Sequence, residues 1–225
     1  MSRFLSAFLV LTTCCELSAQ RVDNSDLEPA KPVAVAIKGT PKLDGKIDEV
    51  WKTAPVVEVN QAASGIVQID EEEMATAKVQ FLWDDANVYV LWHVKDSLLS
   101  AVEENDPWAT DSVEFFLDQN NKASMFYQDD DAQYRVNFKG GLSGQGEGFD
   151  ESHLKAATSE VDGGYLVEMA VKVTKIKMEA GVKMGIELQV NDDHGSDSRD
   201  AAAKWNHTED DSWEDTSNFG TLELK

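Results

Sequence analysis

The run Lys78-Val79-Gln80-Phe81-Leu82-Trp83-Asp84-Asp85-Ala86-Asn87-Val88-Tyr89-Val90-Leu91-Trp92-His93-Val94 decides the fold. Val79, Phe81 and Trp83 recur at every second residue against Lys78 and Gln80, the period of a strand with one buried face. Asp84-Asp85-Ala86-Asn87 is a turn signal. Beyond it Val88, Val90, Trp92 and Val94 alternate with Tyr89, Leu91 and His93, apolar to both sides, as in a central strand covered on both faces. On this reading His93 is a core residue.

The same period continues outward. Val113, Phe115 and Leu117 oppose Ser112, Glu114, Phe116 and Asp118. Tyr134, Val136 and Phe138 oppose Gln133, Arg135, Asn137 and Lys139. Tyr165, Val167, Met169, Val171 and Val173 make another inner face, and so do Ile186, Leu188 and Val190 against Glu187, Gln189 and Asn191. Gly220-Thr221-Leu222-Glu223-Leu224 reads as a last strand. Asn105-Asp106-Pro107, Gly140-Gly141 and Asp162-Gly163-Gly164 separate these runs as turns. Many short alternating strands without a long helical pattern predict an all-β chain, a jelly-roll-like sandwich of two antiparallel sheets.

The 225 residues, 42% of them hydrophobic, suffice for one sizeable core. Residues 1–19 read as a secretory signal peptide: Arg3, an apolar run from Phe4 to Leu11, and Leu17-Ser18-Ala19 at the cleavage point. Residues 20–31 read as a linker and 32–225 as one domain. Secretion to the exterior or the periplasm follows, with lipid anchoring at Cys14 as the competing reading. Both cysteines, Cys14 and Cys15, lie in the leader, so the secreted domain would depend on its core and on metal ions. A net charge of −22 repels nucleic acid and anionic membranes, and no segment is long enough to span a bilayer. The domain is expected to be a monomer.

Parity gathers the polar candidates. Arg135 and Asn137 lie two apart on one strand and point away from the core, as do Glu114 and Gln189 on theirs. If the three strands are neighbours, these side chains form a patch of donors and acceptors suited to vicinal sugar hydroxyls. A solvated sheet face with a weak surface ion pair is the competing reading. Of six tryptophans, Trp51, Trp83 and Trp92 read as core. Trp108 and Trp213 fall in polar loops, where an indole either packs as a lid or stays exposed to stack on a ligand.

Four stretches carry a family likeness: Asn105-Asp106-Pro107-Trp108-Ala109-Thr110-Asp111-Ser112-Val113-Glu114, Asp129-Asp130-Asp131-Ala132-Gln133-Tyr134-Arg135-Val136-Asn137, Gln189-Val190-Asn191-Asp192, and Ser212-Trp213-Glu214-Asp215 with Phe219-Gly220. From about Leu43 to Leu224 the chain resembles the family 9 carbohydrate-binding modules. The resemblance implies a non-catalytic binder of cellulose, xylan or their oligosaccharides, in which Trp108 and Trp213 sandwich a terminal sugar. Glu114, Arg135, Asn137 and Gln189 would hydrogen-bond its hydroxyls, and the resemblance implies a preference for the reducing end. Asp210 occupies a family position held by asparagine.

Acidic clusters at Asp70-Glu71-Glu72-Glu73, Asp129-Asp130-Asp131, Asp192-Asp193 and Glu209-Asp210-Asp211 could supply the oxygen ligands calcium requires. The resemblance implies a structural calcium, with Asp129, Asp130 and Asp131 as first candidates. Two rivals use other chemistry. A glycoside hydrolase would employ Glu114 in an acid/base pair, although Arg135 would keep it ionised. A haem-binding sandwich would join His93 to Met125, Met169 or Met178.

Overall fold

A computed structural model of the chain describes residues 30–100, 106–196 and 198–225. The leader, Cys14 and nearly all of the linker, together with Asn105, lie outside the described residues. Lys31–Lys225 form one compact unit. Its strands are β1 (Val33–Lys38), β2 (Val56–Val59), β3 (Gln61–Ala62), β4 (Thr76–Trp83), β5 (Asn87–Lys95), β6 (Ser112–Asp118), β7 (Asp131–Asn137), β8 (Leu142–Gln145), β9 (Leu154–Val161), β10 (Gly164–Lys172), β11 (Lys183–Asp192), β12 (Ala201–Lys204) and β13 (Gly220–Leu224). Among the described residues the only helical turns are three short 3-10 segments, at Glu49–Thr53, Pro107–Ala109 and Glu151–His153.

The strands follow the order β8-β7-β6-β11-β13-β1-β4-β5-β10-β9. The half around β7, β6 and β11 faces the half around β4, β5 and β10 across one core. Phe115, Leu117, Tyr134, Ile186 and Leu188 from the first half meet Phe81, Trp92, Tyr165, Val167 and Met169 from the second. This is the expected sandwich, with one difference. β1 pairs in parallel with both β13 and β4, joining the halves into a continuous sheet; the other pairings are antiparallel. The long excursion between β1 and β4, residues 39–75, gives the chain room for the crossover that parallel pairing needs.

β5 does have apolar neighbours on both faces. Trp51, Ala54, Leu82, Tyr89, Leu91 and Ala170 form a second cluster on the outer side, beneath the segment that follows β1. Glu168, fully buried there, accepts hydrogen bonds from the Asp44 and Gly45 N–H groups at 3.0 and 2.8 Å and from the Trp51 indole at 3.4 Å. Gly45 is at φ +73°, and a Cβ at that position would lie 2.9 Å from the Thr158 carbonyl oxygen. The cover does not reach His93. Opposite Lys78 and beyond Leu91 in the register, His93 is exposed rather than buried, which corrects the core assignment. Met169 is on the inner face, so the sheet itself separates that His/Met pair.

Candidate functional site

β6 lies between β7 and β11, and this adjacency makes the site. In register, Arg135 stands opposite Glu114 and Glu114 opposite Gln189; the row continues to Lys204 on one side and Ser143 on the other. Cross-strand neighbours place their Cβ atoms about 5 Å apart, so these polar groups meet without any help from loops. Glu114, Gln189 and Arg135 are nonetheless buried, in a pocket whose lining also includes loop residues Trp108, Arg199, Asp210, Ser212 and Trp213.

Glu114 is the hub. One carboxylate oxygen accepts from Arg135 Nε at 2.5 Å and Asn191 Nδ2 at 2.8 Å; the other accepts from Gln133 Nε2 at 2.6 Å. Burial pushes its carboxyl up, but the Arg135 charge and hydrogen bond, with Asn191 and Arg199, outweigh that and hold it below the ordinary glutamate range. Gln189 is fixed from both ends: its Nε2 donates to Asn191 Oδ1 at 2.7 Å, and its Oε1 accepts from Lys204 Nζ at 2.9 Å. Lys204 is itself fully buried and also donates to Ser212 Oγ at 2.7 Å. Burial lowers the Lys204 ammonium, opposed first by the charge of Glu187 and then by that of Glu114.

Two tryptophans form the walls. Trp108 sits in the short turn Pro107–Ala109, where proline supplies the first position and Ala109 N–H bonds Asp106 O at 2.8 Å. Trp213 follows Ser212, with its indole N–H donating to Asp210 O at 3.0 Å. Both stay open to solvent, at 44% and 46% exposure, which a packed lid would not. Arg199 supports the first wall. Its guanidinium lies 5.6 Å from the centre of the Trp108 ring, donates to Asn191 Oδ1 at 3.1 Å, and holds Asp210 Oδ2 at 2.6 Å. Between the walls is a cavity of about 260 Å³ whose lining includes Glu114, Arg135, Gln189 and Asp210.

Six of the seven residues singled out from the sequence therefore share one pocket. Asn137 does not line it. Its Oδ1 is taken by the Lys139 and Gly141 N–H groups at 3.1 and 2.7 Å, and it closes the turn between β7 and β8. Gln133, Phe116, Gln145, Arg199 and Ser212, not singled out before, also line the cavity. Gln133 shares parity with Arg135 and could have been found that way. Arg199 lies in an irregular loop with no periodic signal.

Two groups of buried carboxylates stand at strand ends: Asp118, Asp130 and Asp131, and Asp96, Asp111 and Asp192. In each group one carboxylate oxygen from each residue lies within 4.8 Å of the others. Asp118 Oδ1, Asp96 Oδ2 and Asp192 Oδ1 are buried with no hydrogen-bond donor. Burial, reinforced by the neighbouring carboxylates, pushes Asp111 up to about 8 and Asp131 up to about 7. Buried, hard oxygen donors that crowd one another without a lysine or arginine ion pair among the described residues fit calcium. Asp129 lies outside both groups: it is exposed and pairs with Lys175 at 2.7 Å, while Asp118, opposite Asp131 in the β6–β7 register, joins Asp130 and Asp131.

Fold and site together define a class, a β-sandwich whose outer sheet face carries an aromatic-walled polar slot. Residues 43–225 match the family described as carbohydrate family 9 binding domain-like, and the chain belongs to it. It is 42% identical over 192 residues to endo-1,4-beta-xylanase A of Thermotoga neapolitana, and 40% identical over 201 residues to exoglucanase XynX of Acetivibrio thermocellus. These alignments cover 85% and 88% of this chain but only 18% of each relative. The structure is similar to a family 9 carbohydrate binding module from Caldicellulosiruptor kristjanssonii solved in complex with glucose (TM-score 0.77, 30% identity, covering 86% of this chain and 96% of that one). It is equally similar to the same module in complex with cellotriose (TM-score 0.76, covering 86% and 94%). No helix among the described residues is long and apolar enough to cross a membrane.

Proposed function

We propose that this module binds the ends of β-linked glucan or xylan chains, and small sugars such as glucose and cellobiose, between Trp108 and Trp213, and that it catalyses no reaction. The observation that carries this reading is the row Arg135, Glu114 and Gln189 lying between two half-exposed indoles. Sugar rings offer C–H faces to the indoles and vicinal hydroxyls to the row. The glucose and cellotriose complexes of the similar module, and the xylanase and exoglucanase names of the relatives, support the ligand class.

The carboxylates argue against hydrolysis. A general acid needs a raised pKa, whereas Glu114 is held low by Arg135 and accepts three hydrogen bonds. Asp210 is bound to Arg199. Two facing walls from separate loops leave a slot that a polymer enters by its terminus, and the reducing end, with its free anomeric hydroxyl, is the end proposed. Calcium is proposed at Asp118, Asp130 and Asp131 and at Asp96, Asp111 and Asp192 as a structural ion. Secretion through residues 1–19 belongs to the same reading.

Calorimetric titration with glucose, cellobiose and xylobiose tests the proposal. Trp108→Ala and Trp213→Ala are each expected to weaken cellobiose binding about tenfold or more, on a stacking scale of about 1–3 kcal/mol per aromatic. Unchanged affinity in both variants would place the site elsewhere.

A further inference from the structure

The loop between β6 and β7 presents the two most exposed large apolar side chains among the described residues, Met125 at 69% and Phe126 at 72%. They are not on a loose tip. Ser124 N–H donates to Thr216 Oγ1 at 2.9 Å, and Thr216 N–H donates back to Ser124 O at 3.0 Å. Tyr127 N–H donates to Glu214 O at 3.0 Å, and its hydroxyl donates to Ser212 O at 2.6 Å. The pair is thus held on both sides by the segment that carries Trp213.

Tyr127 also packs at the end of β8, where a Cβ on Gly146 would lie 2.7 Å from its ring. The preceding residue, Gln145, lines the slot and reaches toward Trp213 O at 3.5 Å. Phe126 is thus next in sequence to Tyr127, whose hydroxyl bonds the carbonyl of Ser212, a residue of the slot's lining, and whose N–H bonds Glu214 beside Trp213. Adjacent in sequence, rigidly anchored to the segment that carries Trp213 and set in polar surroundings, Met125 and Phe126 form a contiguous exposed apolar surface of the kind that marks an interaction site.

We infer that Phe126, with Met125 beside it, is a further sugar subsite, a stacking surface for the part of a glucan chain that extends beyond the slot. This rests on the reading of the slot as the seat of a chain end. Two side chains are too small for the core of a protein interface, which takes about 800 Å² from each partner. They do match one pyranose face, and a neutral polysaccharide is unaffected by the acidity of the surrounding chain.

The test compares oligosaccharide lengths in the intact protein and in Phe126→Ala and Met125→Ala/Phe126→Ala. Calorimetry with cellobiose and cellohexaose should show the parent binding cellohexaose about fivefold or more tighter, one stacked ring on the aromatic scale. In the variants that advantage disappears while cellobiose affinity stays the same. An unchanged cellohexaose-to-cellobiose ratio would overturn the subsite and leave the slot standing. An equal loss for both sugars would show that Phe126 only supports the Trp213 loop, and would also overturn it. A parent that binds no cellobiose would remove the slot reading and this inference together.

Discussion

Glu114 shows how a single side chain sets the character of the slot. Its folded pKa is depressed, so the contribution of its charge is complete above the unfolded value and is lost as pH falls through the folded one. Cellobiose affinity is accordingly expected to be flat from neutrality down to the ordinary glutamate value of 4.5 and to fall only below it. A titration series that loses binding above that value would contradict the hub role. Lys204 makes a separate prediction. Lys204→Met leaves Gln189 Oε1 and Ser212 Oγ without their donor and removes the buried cation whose charge favours ionised Glu187. Removing one charge from such a set costs about 3 kcal/mol. Denaturant unfolding should show a loss of that order, together with weaker sugar binding, because both the floor and the Trp213 loop lose an anchor.

At the scale of elements, strand neighbourhood does what no loop could. Alternation in β6, β7 and β11 placed Glu114, Arg135 and Gln189 on outer faces, but only the order β7-β6-β11 brings them into one row. Asn137 shows where parity stops being informative: it points outward as expected, yet the tight turn after β7 claims its carbonyl. On the opposite sheet the outer cover depends on Gly45. Gly45→Ala would combine left-handed backbone with a contact to Thr158 O. It is expected to cost about 1–3 kcal/mol, read as a lowered melting temperature with sugar affinity intact. A neutral substitution there would show that the cover is not needed for stability.

At the scale of the whole molecule, the two buried aspartate groups gather carboxylates from several strand ends. β5, β6 and β11 meet near Asp96, Asp111 and Asp192, and β6 meets β7 at Asp118 and Asp131. If calcium fills them, stability rises with the free ion, by about 2.7 kcal/mol per site at a hundredfold excess over the dissociation constant. A melting temperature the same in calcium and in chelator would remove the metal from the account. The proposed end recognition would also be a whole-molecule property, since Trp108 and Trp213 come from loops far apart in sequence. Borohydride-reduced cellobiose, its terminal ring opened, is expected to bind about tenfold more weakly than cellobiose, the cost of a buried polar group left unpaired. Equal affinity would remove reducing-end preference while leaving sugar binding in place.

The sequence by itself determined the strands, because a period of two depends only on which residues are apolar, and it determined the all-β sandwich. It also determined the two tryptophans and the outward polar residues, since parity and turn composition are local properties. Tertiary structure decided the rest. It set the parallel entry of β1, the burial of Glu114 and Lys204, the recruitment of Arg199, and the gathering of Asp118 with Asp130 and Asp131. It also left His93 in solvent, because the outer cover ends one residue pair short of it. Each of these depends on which distant segment arrives as a neighbour, and a hydrogen bond or a buried charge is fixed by its partner in space rather than by its position along the chain.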